Sequence, residues 1–269
     1  MSVGTNTFGT VSTSGSGTAL NYSGLTFPSG VINPGLVLYC AFSATVSGVT
    51  ATWDSGGTNQ AMYNIGSVNQ SGGNPSIMAF GLPNPTPGNK NLLISWTGTA
   101  ICTAIGVAYQ GMNQGGGTSS FTNFLTSGGT SSGPTISSTA AYTSGGMQSI
   151  LPAIIIAGAT ISGYANATLF TSNTFATGLS AGGQYSAPTG SPWGSTFTLN
   201  SSTTYGIMAF EIVPAQSNII DGPMVTRGVI PRAGAPLNMA GSRLFPFSLP
   251  VTAAPPPVVG STLPMMGVG

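Results

Sequence analysis

The chain is 269 residues long and carries four Lys+Arg, three Asp+Glu and no His, so 3% of it is charged, against about a quarter of an ordinary globular domain. Without imidazole there is no His general base, no Ser–His or Cys–His nucleophile and no His-ligated zinc, and no residue is assigned as catalytic or metal-binding. A net charge of +1 cannot build the basic field that neutralises several phosphates, which argues against nucleic acid or an anionic membrane as partner.

Low charge does not mean disorder here, because 41% of the residues are hydrophobic and include 12 Phe, 8 Tyr and 3 Trp, enough for a core. The first residues have neither a basic nor an apolar signal region, so synthesis in the cytoplasm without a secretory leader is expected. The 41 Gly and 20 Pro fall between short apolar runs and act as punctuation.

In chain order, the residues before 31 are not assigned. Strands are expected at 36–42, 49–53, 61–65, 76–82, 92–96, 101–109, 150–159 and 205–213, all apolar, β-branched or aromatic and bounded by Gly, Ser, Asn or Pro. In the fifth, Leu92, Ile94 and Trp96 share a face. In the sixth, Ile101, Thr103, Ile105, Val107 and Tyr109 form a bulky face, with small residues opposite. That asymmetry suits a strand between a second sheet and a covering layer. The run at 150–159 is about half as long as a membrane-spanning helix and contains Pro152. The Gly/Ser/Thr-rich stretch 115–133 is expected to be a long surface excursion. Eight to twelve strands suit one all-β sandwich over residues 1–215.

After Pro214 the composition changes. Residues 216–269 hold Asp221, Arg227, Arg232 and Arg243, are Pro-rich and include Ala253-Ala-Pro-Pro-Pro-Val-Val259. They are expected to form an extended arm that finds its contacts on a neighbouring molecule, with the three arginines docking into carboxylate or carbonyl pockets.

The order Val46-Ser-Gly-Val-Thr-Ala-Thr-Trp53, Gly56-Gly-Thr58, Gly66-Ser-Val68, Ile77-Met-Ala-Phe-Gly-Leu82, Asn84-Pro-Thr-Pro-Gly88, Leu92-Leu-Ile-Ser-Trp-Thr-Gly98 and Gly106-Val-Ala-Tyr-Gln-Gly-Met112 resembles a pattern of concanavalin A/laminin-G-like jelly rolls found among phage structural components and bacterial surface proteins. The resemblance implies a jelly-roll β-sandwich built on packing and turn positions, with no catalytic signature to carry over. Asp54 departs from that pattern, where a small residue follows the Trp.

Asp54 reads as a turn residue. Glu211 reads as a rim residue, or as a partner of Lys90 or an arm arginine, and no two carboxylates form a hydrolytic pair. Trp53 and Trp96 read as core, whereas Trp193, in a Ser-Pro-Trp-Gly turn, is the best candidate for an exposed glycan contact. Cys40 and Cys102 read as buried thiols, with a disulfide between them as the alternative. No cofactor is implied. The expected function is a non-enzymatic virion-surface protein, such as a capsid decoration protein, head fibre or spike. Its partners would be capsid or other virion proteins and copies of itself, with a trimer favoured. The alternative is a carbohydrate-binding adhesion module that recognises host-surface glycans.

Overall fold

A computed structural model describes residues 3–13, 16–69, 76–138, 150–157, 161–165, 168–175, 178–186 and 193–216. The chain divides into residues 1–218 and a remainder, 219–269, that lies outside the described residues. Arg227, Arg232, Arg243 and the expected arm therefore lie outside them as well.

Among the described residues there is no α-helix. The first half forms β1 (Gly4–Thr13), β2 (Gly17–Phe27), β3 (Gly35–Phe42), β4 (Ser47–Trp53), β5 (Gln60–Ala61), β6 (Tyr63–Asn69), β7 (Ser76–Pro83), β8 (Gly88–Ala100) and β9 (Cys102–Gln110). A 3-10 turn at Gly117–Ser119 leads into β10 (Phe121–Ser131), β11 (Thr135–Ser138), β12 (Ile150–Ala157), β13 (Ile161–Ala165), β14 (Thr168–Phe175), β15 (Gly178–Ser186), β16 (Trp193–Leu199) and β17 (Thr203–Ile212). All eight expected strands are present, the third split between β5 and β6. The unassigned N-terminal residues supply β1 and β2.

The strands form four antiparallel sheets. Sheet I is β2-β8-β4-β5, sheet II β1-β9-β3-β7-β6, sheet III β10-β17-β12-β15-β14 and sheet IV β11-β16-β13. One core lies between sheets I and II, where Leu36, Leu38, Cys40 and Phe42 of β3 meet Trp53, Leu92, Ile94 and Trp96. The other face of β3, Val37, Tyr39 and Ala41, packs with Met208, Phe210 and Ile212 of sheet III. In sheet IV the buried Ser195, Phe197 and Leu199 of β16 alternate with exposed or half-buried neighbours, the pattern of a strand with one covered face.

This stacking explains the sequence pattern. A strand covered on both faces reads as an unbroken apolar run, and β3 is buried at all eight positions and β9 at eight of nine. β8 lies in an outer sheet and alternates from Leu92 to Trp96. The covering layer expected over β9 is thus sheet III, and the described residues hold seventeen strands where a single sandwich needs eight to twelve.

The stretch 115–133 is not an excursion, because β10 pairs with β17 from Phe121↔Ile212 to Ser131↔Thr203. It resembled a loop because its half-exposed positions are small and polar, and Thr is at home on such a surface. Sheets II and III are keyed together by aromatics on glycines. The Phe121 ring occupies the space a Cβ at Gly81 would need, and Phe124 does the same at Gly66. Phe121 also lies edge-on to Phe210, with centroids 6.2 Å apart.

Candidate functional site

One end of the first sandwich gathers the loops after β2, β4 and β7, since Phe27 pairs with Gly88, Gly35 with Pro83 and Trp53 with Leu92. Asp54 turns the chain there with φ 55°, a left-handed conformation that Asp tolerates better than most residues. Its Oδ2 accepts hydrogen bonds from Thr58 N at 3.0 Å and Thr58 Oγ1 at 2.8 Å, and it meets Lys90 Nζ at 3.2 Å. The two Thr58 bonds, followed by the Lys90 ammonium, hold the Asp54 carboxyl below its ordinary range. The turn expected at Asp54 is present, and Gly57 is required beside it because a Cβ there would collide with the carboxylate.

Sequence reasoning missed the residues that tie this turn to the next connector. Gln60 Oε1 accepts from both N and Oγ1 of Thr86, at 2.7 Å each, and Gln60 Nε2 donates to Asn84 O at 3.2 Å. Trp53 Nε1 donates to Thr86 O at 3.0 Å. The buried indole thus anchors the 84–87 connector from below, and Gln60 clamps it from the side. Beside this network a cleft of about 190 Å³ is lined by Phe27, Pro28, Val31, Pro34, Pro85 and Pro87.

Glu211 is not at the rim: it is completely buried and accepts a 2.6 Å hydrogen bond from Asn123 Nδ2. It does not pair with Lys90, which belongs to Asp54, and the arm arginines expected as its alternative partners lie outside the described residues. Asn123 has φ 52° and sits where the β10–β17 register slips between Thr122 and Leu125, so the bulge aims its amide at the carboxylate. Asp54 lies at the end of sheet I, whereas Glu211 lies in sheet III on the face opposite Met208 and Phe210, with sheet II in between. These two carboxylates share no cleft.

The remaining candidates separate in the same way. Trp53 and Trp96 are core residues. Trp193 begins β16, paired with Ser138, and is not in the turn expected for it; its side chain lies outside the described residues. Cys40 and Cys102 are buried and not joined by a disulfide. Cys40 faces Ala104 and Cys102 faces Phe42 across the β3–β9 ladder, a diagonal placement that brings the two thiols into hydrogen-bonding contact. Burial, then Cys102, pushes the Cys40 thiol well above its ordinary range.

Comparison with protein-family models, curated proteins and solved structures finds no match to this chain.

Proposed function

We propose that this chain is a non-enzymatic structural component of the surface of a phage or phage-like particle: a capsid decoration protein, head fibre or spike. In this reading the first sandwich is a concanavalin A-like jelly roll displayed outward. Residues 216–269 are an arm whose Arg227, Arg232 and Arg243 dock on capsid proteins or neighbouring copies.

The observation that carries the reading is the fate of the charges. Residues 1–216 hold only Asp54, Lys90 and Glu211 as charged side chains. The first two neutralise each other, and the third is enclosed and hydrogen-bonded to Asn123. A surface of neutral hydroxyls and amides lacks the colloidal repulsion that keeps diffusing proteins apart. It suits a subunit that packs once and stays, while the arm carries three of the chain's four cations. The separation of Asp54 from Glu211 supports a non-hydrolytic role, because glycoside hydrolysis needs two carboxylates flanking one bond.

Density-gradient fractionation of particles from cells that make the chain tests this reading. The chain is expected in the particle band; recovery only in the free protein fraction overturns the assignment. Cell-wall glycan binding that is lost on Trp193→Ala would mark an adhesion module instead.

A further inference from the structure

We propose that the outer edge of β10 is a pairing surface for the β10 of a second copy of this chain, running antiparallel about a two-fold axis at Gly128. β10 hydrogen-bonds only to β17 within sheet III, and none of the described residues pairs with its other side. An open edge is a template for another strand, and natural sheets interrupt such edges with bulges, charges, prolines or short length. The other sheet edges among the described residues carry such devices. The ladders of β1, β2, β6, β13 and β14 are each broken by a register shift, and β5 and β11 are two and four residues long. β10 is bulged only at its start. From Leu125 to Ser131 it runs seven residues in unbroken register with Ala209 to Thr203, with no proline and no charge.

A second observation converges on the same edge. Among the described residues three large hydrophobics are exposed, and two of them flank β10. Phe124, 37% exposed, is on the strand itself. Tyr63, 40% exposed, stacks on Phe121 at its root, with centroids 6.4 Å apart and rings 8° from parallel.

The sequence of the strand selects the occupant. Residues 126–130 read Thr-Ser-Gly-Gly-Thr, so antiparallel pairing about Gly128 sets Thr126 of each copy opposite Thr130 of the other. Cross-strand Thr pairs of this kind are favourable, and the glycines admit close backbone approach. The same edge meets itself, so the contact is isologous and closes as a dimer, where the sequence alone favoured a trimer. The inference goes beyond the particle-surface reading and stands without it.

Light scattering on the full chain after size exclusion, at tens of micromolar, tests the pairing. The unaltered protein is expected to be twice the mass of the Thr126→Lys/Thr130→Lys variant, in which lysine faces lysine across the axis. Thr126→Lys/Thr130→Glu sets lysine opposite glutamate in the same register and is expected to regain the full mass. Backbone amides at 125–131 are expected to lose hydrogen-exchange protection in the double-lysine variant alone. An unaltered chain with the mass of the double-lysine variant overturns the proposal, as does a charge-swapped variant that stays at half mass.

Discussion

Asn123 reaches from a bulge in one strand to place its amide nitrogen 2.6 Å from Oε2 of Glu211 in the next. That bond lets a carboxylate sit inside a stack of sheets, because a buried acceptor that keeps a partner avoids most of its desolvation penalty. Asn123→Gly keeps the positive φ and removes only the amide, so it is expected to cost about 1.5–3 kcal/mol, the range for hydrogen bonds to charged groups. Asn123→Asp places a second carboxylate against the first. It is expected to be less stable than Asn123→Gly, because it replaces the amide donor with a group that repels the carboxylate instead of donating to it. Chemical denaturation of the two variants at pH 7 measures the difference.

The two core tryptophans of the first sandwich differ in one respect. Trp53 Nε1 donates to Thr86 O, whereas the buried Trp96 Nε1 has no partner among the described residues. Replacement by Phe removes similar volume at each site, but only at position 53 does it leave a half-buried carbonyl without its indole donor. Trp53→Phe is therefore expected to be less stable than Trp96→Phe by about 1–2 kcal/mol, read as a difference in denaturation midpoint.

The glycines under the aromatic keys differ by how freely the ring can leave. Phe121 is 3% exposed and enclosed beside Phe210, whereas Phe124 is 37% exposed. Gly81→Ala must displace a trapped ring and is expected to cost about 1–3 kcal/mol, as overpacked cores do. At Gly66→Ala the ring can swing outward, so the loss should be clearly smaller. Thermal unfolding of the two variants checks the order.

The phenols of Tyr39 and Tyr109 are enclosed between sheets II and III. Burial, then Tyr109, raises Tyr39 well above the ordinary phenol value, and burial likewise raises Tyr109. The folded protein therefore keeps two protons that the unfolded chain releases above pH 10. Stability is unaffected below that pH and falls as the pH climbs past it, by up to about 1.4 kcal/mol per pH unit for each tyrosine. Denaturation midpoints between pH 9 and 11 should show the decline, and Tyr39→Phe/Tyr109→Phe should flatten it.

Much of this architecture was legible in the sequence. β3, β7, β8, β9 and β17 were found because apolar runs such as Leu-Val-Leu-Tyr-Cys-Ala-Phe leave no helical alternative between their Gly and Pro boundaries. Even the need for a layer over β9 followed from its bulky and small faces. The identity of that layer did not, because β10, β14 and β15 are built from Thr, Ser and Gly, whose alternation is invisible when neither face is strongly apolar. The Asp54 turn was readable from Asp-Ser-Gly-Gly. The Asn123 contact of Glu211 was not, since Asn123 lies 88 positions away and is aimed by a bulge that only pairing reveals. The Gln60 clamp was missed for the same reason: its contacts cross 24 and 26 positions.

The particle-surface account rests on the arm as anchor, and the most direct test mixes particles stripped of this protein with the full chain or with a chain ending at Gln216. The account predicts that both are folded by thermal melt, and that only the full chain co-sediments with the particles. Equal retention of the two, or retention of neither, would contradict it.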